Sequence, residues 1–259
     1  MKMQAKFWSA LAVALFGAGI CLGQASFSSQ SVADAFVTSG GSLSSSNFGG
    51  AGALSLSASG LPQGEFQSVL KFSLAGAENS FNAQFGVGQW TVQSVTLELT
   101  SSPHGNSIFN NIAAGRFNVS LMQNNSWVEG TGTGGTPTSD GISFDSLLGV
   151  YINNAADQGL GTFSFPGGSS GQNAYTLALS SGLVSDVMSG DDASLRLFAA
   201  DSTVSYLFSS RSGGAPAAQP TIVVEATAVP EPGSVLLCAA ALIMFLLLQS
   251  VRRWIRRQR

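Results

Sequence analysis

The chain has 259 residues, a formal net charge of −3, and only 10% charged residues, against roughly 25% in an ordinary soluble domain. Its 40 serines, 31 glycines and 8 prolines make up about 30% of it, the range of low-complexity chains, yet 44% of it is hydrophobic, enough for a core. The composition excludes a nucleic-acid binder, which needs a basic face, and a single histidine and two cysteines leave few parts for catalysis.

Residues 1–25 read as an export signal. Lys2 and Lys6 form a positive start, Phe7 to Leu22 an apolar run, and Gly23 and Ala25 place small residues before a cut at Ser26. The partners implied are the Sec translocon and signal peptidase. Ile20 before Cys21 is too bulky for a lipidation site.

Residues 26–228 form the body. It carries Lys71, Arg116, Arg196 and Arg211 against 13 acids, so it is acidic although the chain is nearly balanced. It has no cysteine and so no disulfide. Alternation of apolar and polar residues predicts half-buried strands. In chain order they are Asp34–Val37, Ala53–Ser57, Phe66–Leu74, Val92–Leu99, Arg116–Leu121, Thr162–Phe165, Ala174–Leu179, Leu195–Leu197, Val204–Phe208 and Ile222–Val224. The step from Val92 to Val95 breaks the period of two and predicts a β-bulge near Gln93 and Ser94. Residues 39–60 read as a loop plus one edge strand, and 212–219 as a loop. Ser180–Met188 is the one helical candidate, through Leu183, Val184 and Val187. About ten strands without a βαβ rhythm predict an antiparallel β-sandwich of jelly-roll type. Serine and glycine are expected in its loops and on outward strand positions.

Residues 229–259 have three parts: Pro230-Glu231-Pro232, an apolar run from Val235 to Val251, and Arg252, Arg253, Arg256, Arg257 and Arg259. The run is 17 residues, about 25 Å of helix, at the short limit for a membrane span. The arginines hold the tail on the cytoplasmic side. These parts, in this order, resemble the PEP-CTERM sorting signal of bacterial envelope proteins. The resemblance implies that an exosortase, a membrane-embedded cysteine protease, recognises Pro230-Glu231-Pro232 and removes the tail.

The body resembles the DNRLRE domain in five segments. Ala33-Asp34-Ala35-Phe36-Val37 with Asn47-Phe48-Gly49 is similar to that family's opening. Ser68-Val69-Leu70-Lys71-Phe72, Val92 through Leu99, Trp127-Val128-Glu129-Gly130 and Phe208-Ser209-Ser210-Arg211 are similar to later segments, in the right order. Two departures stand out: the Thr-Trp that follows the Trp-x-Glu-Gly segment is replaced by Gly132-Thr133-Gly134-Gly135, and no glutamate follows Arg211. Some relatives bind acidic polysaccharide, which would make Trp127, Glu129, Lys71, Arg116 and Arg211 candidate contacts, with Arg196, Trp90, Tyr151 and Tyr175 behind them.

Other chemistry has thin support. His104 lies in a Ser-Pro-His-Gly-Asn turn sequence, and the nucleophile and zinc motifs are absent. Asp140 with Asp145, or Asp191 with Asp192, could supply carboxylates to a structural calcium ion, but no Asp-x-Asp-x-Asp-Gly loop accompanies them. Glu129 with Asp140 and Asp145 is the sole carboxylate grouping for glycoside hydrolysis. The sequence therefore leads to an exported, non-enzymatic cell-surface or extracellular-matrix protein associated with exopolysaccharide. A carbohydrate-binding module is the alternative, and a polysaccharide-degrading enzyme the reading the residues favour least.

Overall fold

The computed structural model describes residues 23–102, 108–109, 113–168, 171–213, 215–229, 243–249 and 253–254. Most of the export signal, His104, Pro230-Glu231-Pro232 and the tail arginines other than Arg253 lie outside them. Among the described residues no helix is long and apolar enough to cross a membrane. The Val235–Val251 run falls largely outside the described residues.

Ten antiparallel strands carry the fold: β1 Gln24–Thr38, β2 Ala53–Ser57, β3 Phe66–Ser73, β4 Trp90–Ser101, β5 Gly115–Met122, β6 Gln158–Phe165, β7 Gly171–Leu177, β8 Asp192–Ala199, β9 Ser205–Ser209 and β10 Thr221–Ala228. β1 is shared. Its first half pairs with β10, and from Ser31 onward it pairs with β3, the register slipping past Val32. One layer is then β1–β10–β4–β7 and the other β1–β3–β8–β5–β6. This is the strand order of a jelly roll, with β2 and β9 added as a pair. Ser57↔Phe66 joins that pair to β3 and Ser101↔Phe208 joins it to β4, so β1, β10, β4, β9, β2 and β3 close a ring.

Between the layers lies one large core. Leu70, Phe72, Leu97, Leu99, Val119, Leu195, Leu197, Ile222 and Val224 are fully buried in it. Each belongs to a period-two run, because alternate side chains of a strand point to one face. Phe117 sits at its centre, 5.1 Å from Tyr175 and 6.1 Å from Phe208, centroid to centroid. The bulge falls at Gln93: Glu225 pairs with Ser94 and Ala226 with Val92.

Four features depart from the sequence expectations. β2 is not an edge strand, since β9 pairs along its whole length and β3 joins its end. A helix that no period announced, α1 (Ala75–Phe85), and short helical turns at Phe144–Ser146 and Leu147–Tyr151 precede the expected helix, α2 (Ser181–Ser189). Only Ala77 and Phe81 of α1 are buried, too few to show as a helical period. Trp90 fixes it by donating Nε1–H to Asn82 Oδ1 at 2.8 Å. Third, residues 123–152 fold back over the outer face of β1 and β3. They build a smaller core of Ala35, Val37, Val69, Met122, Trp127, Ile142, Phe144 and Leu147. That is why β3 is buried on both faces over Gln67–Leu70. Fourth, several serines are interior: Ser55, Ser57, Ser68 and Ser194 are at most 1% exposed. Ser68 donates to the Ser55 carbonyl, which removes the cost of burying its hydroxyl.

Phe117→Ala should cost about 3–5 kcal/mol, because four neighbouring strands cannot collapse into the space left. Equilibrium urea unfolding checks this, with a lower midpoint and an unchanged slope expected.

Candidate functional site

The residues singled out from sequence divide into a buried cluster and scattered surface positions. The cluster begins at β1. Asp34 is fully buried. Its Oδ2 accepts the Ser31 hydroxyl at 3.0 Å and the Arg211 backbone N–H at 2.8 Å, while its Oδ1 is buried with no partner. The Asp34 backbone N–H points to Glu129 Oε1 at 3.3 Å. Arg211 closes the triangle by gripping Glu129, Nε at 2.9 Å from Oε1 and Nη2 at 2.7 Å from Oε2.

Asn47 locks the same loops from the other side. Its Nδ2 donates to the carbonyls of Glu129 at 2.6 Å and Ile142 at 2.9 Å, and its Oδ1 accepts from the N–H groups of Gly49 and Gly132. Nothing larger than glycine fits here. A Cβ on Gly132 would stand 1.9 Å from the Asn47 carbonyl oxygen, and Gly130 has a φ of +75° besides. The segments around Asp34, Asn47, Trp127–Gly130 and Arg211, distant in sequence, thus meet in one place.

This arrangement spends the candidate contacts on the fold. Trp127 is 1% exposed and donates Nε1–H to Ser194 Oγ at 2.9 Å. Its ring cannot present a face to a sugar, which takes it out of the candidate contacts and leaves it as an anchor of the smaller core. Lys71 lies 4.7 Å over the Trp127 ring and donates to the carbonyls of Asn125 and Trp127 at 2.7 and 3.0 Å. Burial lowers the Lys71 pKa from its usual value. Glu129 and Arg211 hold each other. Arg116 is exposed but forms a bidentate pair with Asp201, at 3.1 and 2.9 Å. Trp90 and Tyr175 are core residues, and Tyr151 packs on the smaller core.

The acids proposed for calcium are also engaged. Asp140 accepts from the hydroxyls of Thr138 and Thr131 and from the Thr131 N–H, and these bonds pull its pKa down to about 2. Asp145 accepts from Ser44 Oγ at 3.0 Å, and Asp191 from Ser189 Oγ at 2.6 Å. At Asp192 it is the backbone carbonyl, not the carboxylate, that accepts, from Asn125 Nδ2 at 2.6 Å. Among the described residues no group of three or more His, Cys, Asp or Glu is placed to hold a metal ion.

Sequence reasoning missed Asn47 as a hub and Asp34 as a buried acid. Asp34 breaks a short apolar run at an inward position, and that was the available signal. Of the cations in the body, Arg196 keeps its Nη groups outside any ion pair with a described residue. It lies 4.3 Å over the Phe198 ring and donates Nε–H to Gln67 at 2.7 Å.

No protein-family model matches the chain, and no curated protein matches it. Among solved structures, a cryo-EM structure of Mud crab tombus-like virus is similar over 84% of this chain and 87% of that one. The identity is 10% and the TM-score 0.26, a likeness too slight to bear on lineage or role.

Burial, reinforced by the Glu129 charge, raises the Asp34 pKa to about 6 against the bonds from Arg211 and Ser31. Burial beside Asp191 raises Asp186 to about 6 as well. The folded state holds these protons more tightly than the unfolded chain does. Stability should therefore peak near pH 4, fall as pH rises to about 6, and level off above. Asp34 contributes on the order of 3 kcal/mol of that fall. Asp34→Asn should remove about half of it, leaving the part due to Asp186, and raise the melting temperature at pH 7, as thermal unfolding across pH 4–8 will show.

Proposed function

We propose that the chain is an exported, non-enzymatic surface or matrix protein, delivered by Sec and released from its membrane tail by an exosortase acting at Pro230-Glu231-Pro232. One observation supports this most. The first and last strands of the body pair with each other, Gln24 opposite Thr227, and the Ala228 N–H donates to the Gly23 carbonyl at 3.0 Å. The two flanking segments leave the body side by side. An export signal and a retained tail must both enter one membrane, and this pairing lets them do so without straining the fold. The body also folds around its rare charges instead of presenting them in a cleft, which suits a structural role.

The pairing bears on the amino-terminal cut. Cleavage before Ser26 removes Gln24 and Ala25 from the ladder and leaves Ser26 opposite Glu225 as its first rung.

A carbohydrate-binding role is the second reading, and the outer face of β8, β5 and β6 favours it. Phe198, Asn118 and Thr162 form one row across these strands, with Arg196 beside Ser120 in the next. This face has a partly exposed aromatic ring, a guanidinium and amide and hydroxyl groups, the kinds of group that meet a sugar. Retardation in affinity gels containing acidic polysaccharide, lost in Phe198→Ala, tests it.

The primary reading is tested by fractionating producer cells that carry the natural chain or one with Pro230, Glu231 and Pro232 all changed to alanine. The natural chain should leave the inner membrane as a shortened species, while the variant stays there at full length. If both remain full-length in the inner membrane, the reading fails.

A further inference from the structure

The end of the body where its two termini meet is built from three segments. The Ala228 N–H joins Gly23 there, and the turn between α1 and β4 lies against both termini. The Val229 N–H donates to the Gln89 carbonyl at 2.8 Å, Gln84 Nε2 donates to the Gln24 carbonyl at 3.4 Å, and a Cβ on Gly23 would touch the Phe85 ring at 3.3 Å. The Gln89 N–H closes the turn on the Gly86 carbonyl, and Gly86 and Gly88 take φ values of +94° and +70°. Between these glycines Val87 is 82% exposed, more than any other large apolar residue among those described. Charge is absent from the same end. Residues 23–25, 79–92 and 226–229 carry none, although the body has 13 acids.

We propose that, while the tail is in the membrane, this end rests on the bilayer and Val87 enters the boundary between lipid headgroups and acyl chains. The inference rests on the reading of the tail given above. The bilayer is the partner because the chain beyond Val229 brings this end to it. Five residues, 230–234, separate Val229 from the apolar run that starts at Val235. At roughly 3.5 Å per residue, even a fully extended tether keeps Val229 within about 20 Å of that run. The eight residues of β10 alone span about 26 Å. The tether is thus shorter than the body, and it draws the turn at Val87 toward the lipid while the far end of β10 stands away. An uncharged tip suits that place, since a buried charge is costly and anionic lipid repels an acid. The contact sets Pro230-Glu231-Pro232 at the lipid surface, within reach of a membrane-embedded protease. It is also reversible. A single acyl chain gives only marginal membrane binding, and one valine is far smaller, so loss of the tail frees the body.

The test uses the full chain in vesicles of phosphatidylethanolamine and phosphatidylglycerol, with Cys21 and Cys238 replaced by alanine. A polarity-sensitive fluorophore is attached at Val87→Cys or at Ala217→Cys, the latter exposed beyond the far end of β10. Both positions are exposed, so neither substitution disturbs the core. Brominated lipid should quench the label at 87 severalfold more than the label at 217, and the emission at 87 should shift to the blue. Vesicle-bound chain whose two labels are quenched equally overturns the contact and leaves the reading of the tail standing. Chain that does not float with the vesicles overturns both.

Discussion

One strand holds the two layers together. β1 pairs with β10 through Gln30 and with β3 from Ser31, its register slipping at the half-exposed Val32. A body without cysteine cannot staple its layers covalently. It closes them by sharing backbone hydrogen bonds along a single chain segment. The cluster depends on this slip, since it sets Asp34 where the Arg211 N–H reaches it. The same slip turns Ala35 and Val37 to the outer face, where residues 123–152 cover them in the smaller core.

What was legible in the sequence was what period two encodes. Every strand inferred from alternation is present, and the break at Gln93 marks the bulge, because a residue added to a strand must disturb the sorting of faces. The first half of β1 was not legible. In Ser26-Phe27-Ser28-Ser29-Gln30 only Phe27 is a large apolar residue, and pairing with β10 makes this segment a strand. α1 was hidden for a similar reason, since two buried residues do not make a period. The candidate site was legible as a set of residue types and not as an arrangement. Trp127, Glu129 and Arg211 do come together, but their roles follow from distances between chain segments that no local pattern records. The hydrogen bond from Trp127 to Ser194 turns a plausible sugar platform into a core anchor.

The low charge of the body takes on a different meaning once the ionised groups are placed. Lys71 is held by carbonyls, Arg211 by Glu129 and Arg116 by Asp201. The body, with four cations in all, uses three of them to fix loops and strands, and nearly all the net charge left over there is acidic. Glycine has a comparable use. Gly130 and Gly132 let one loop lie against the Asn47 side chain and backbone at distances no side chain permits. A composition that resembles low complexity is here the means of packing irregular loops closely.

The topology also constrains when the body can fold. Gln24 and Thr227 are at opposite ends of the body, and their strands are neighbours in one layer. β10 is in addition the strand that links β1 to β4. Until it is available, that layer lacks its second strand and the ring of six cannot close. Contacts of such long sequence separation form slowly, because the entropy of closing the loop comes before the gain. A chain with this topology stays open until its last strand emerges. That property is compatible with the export proposed above, and it places closure of the sandwich at the pairing of β1 with β10.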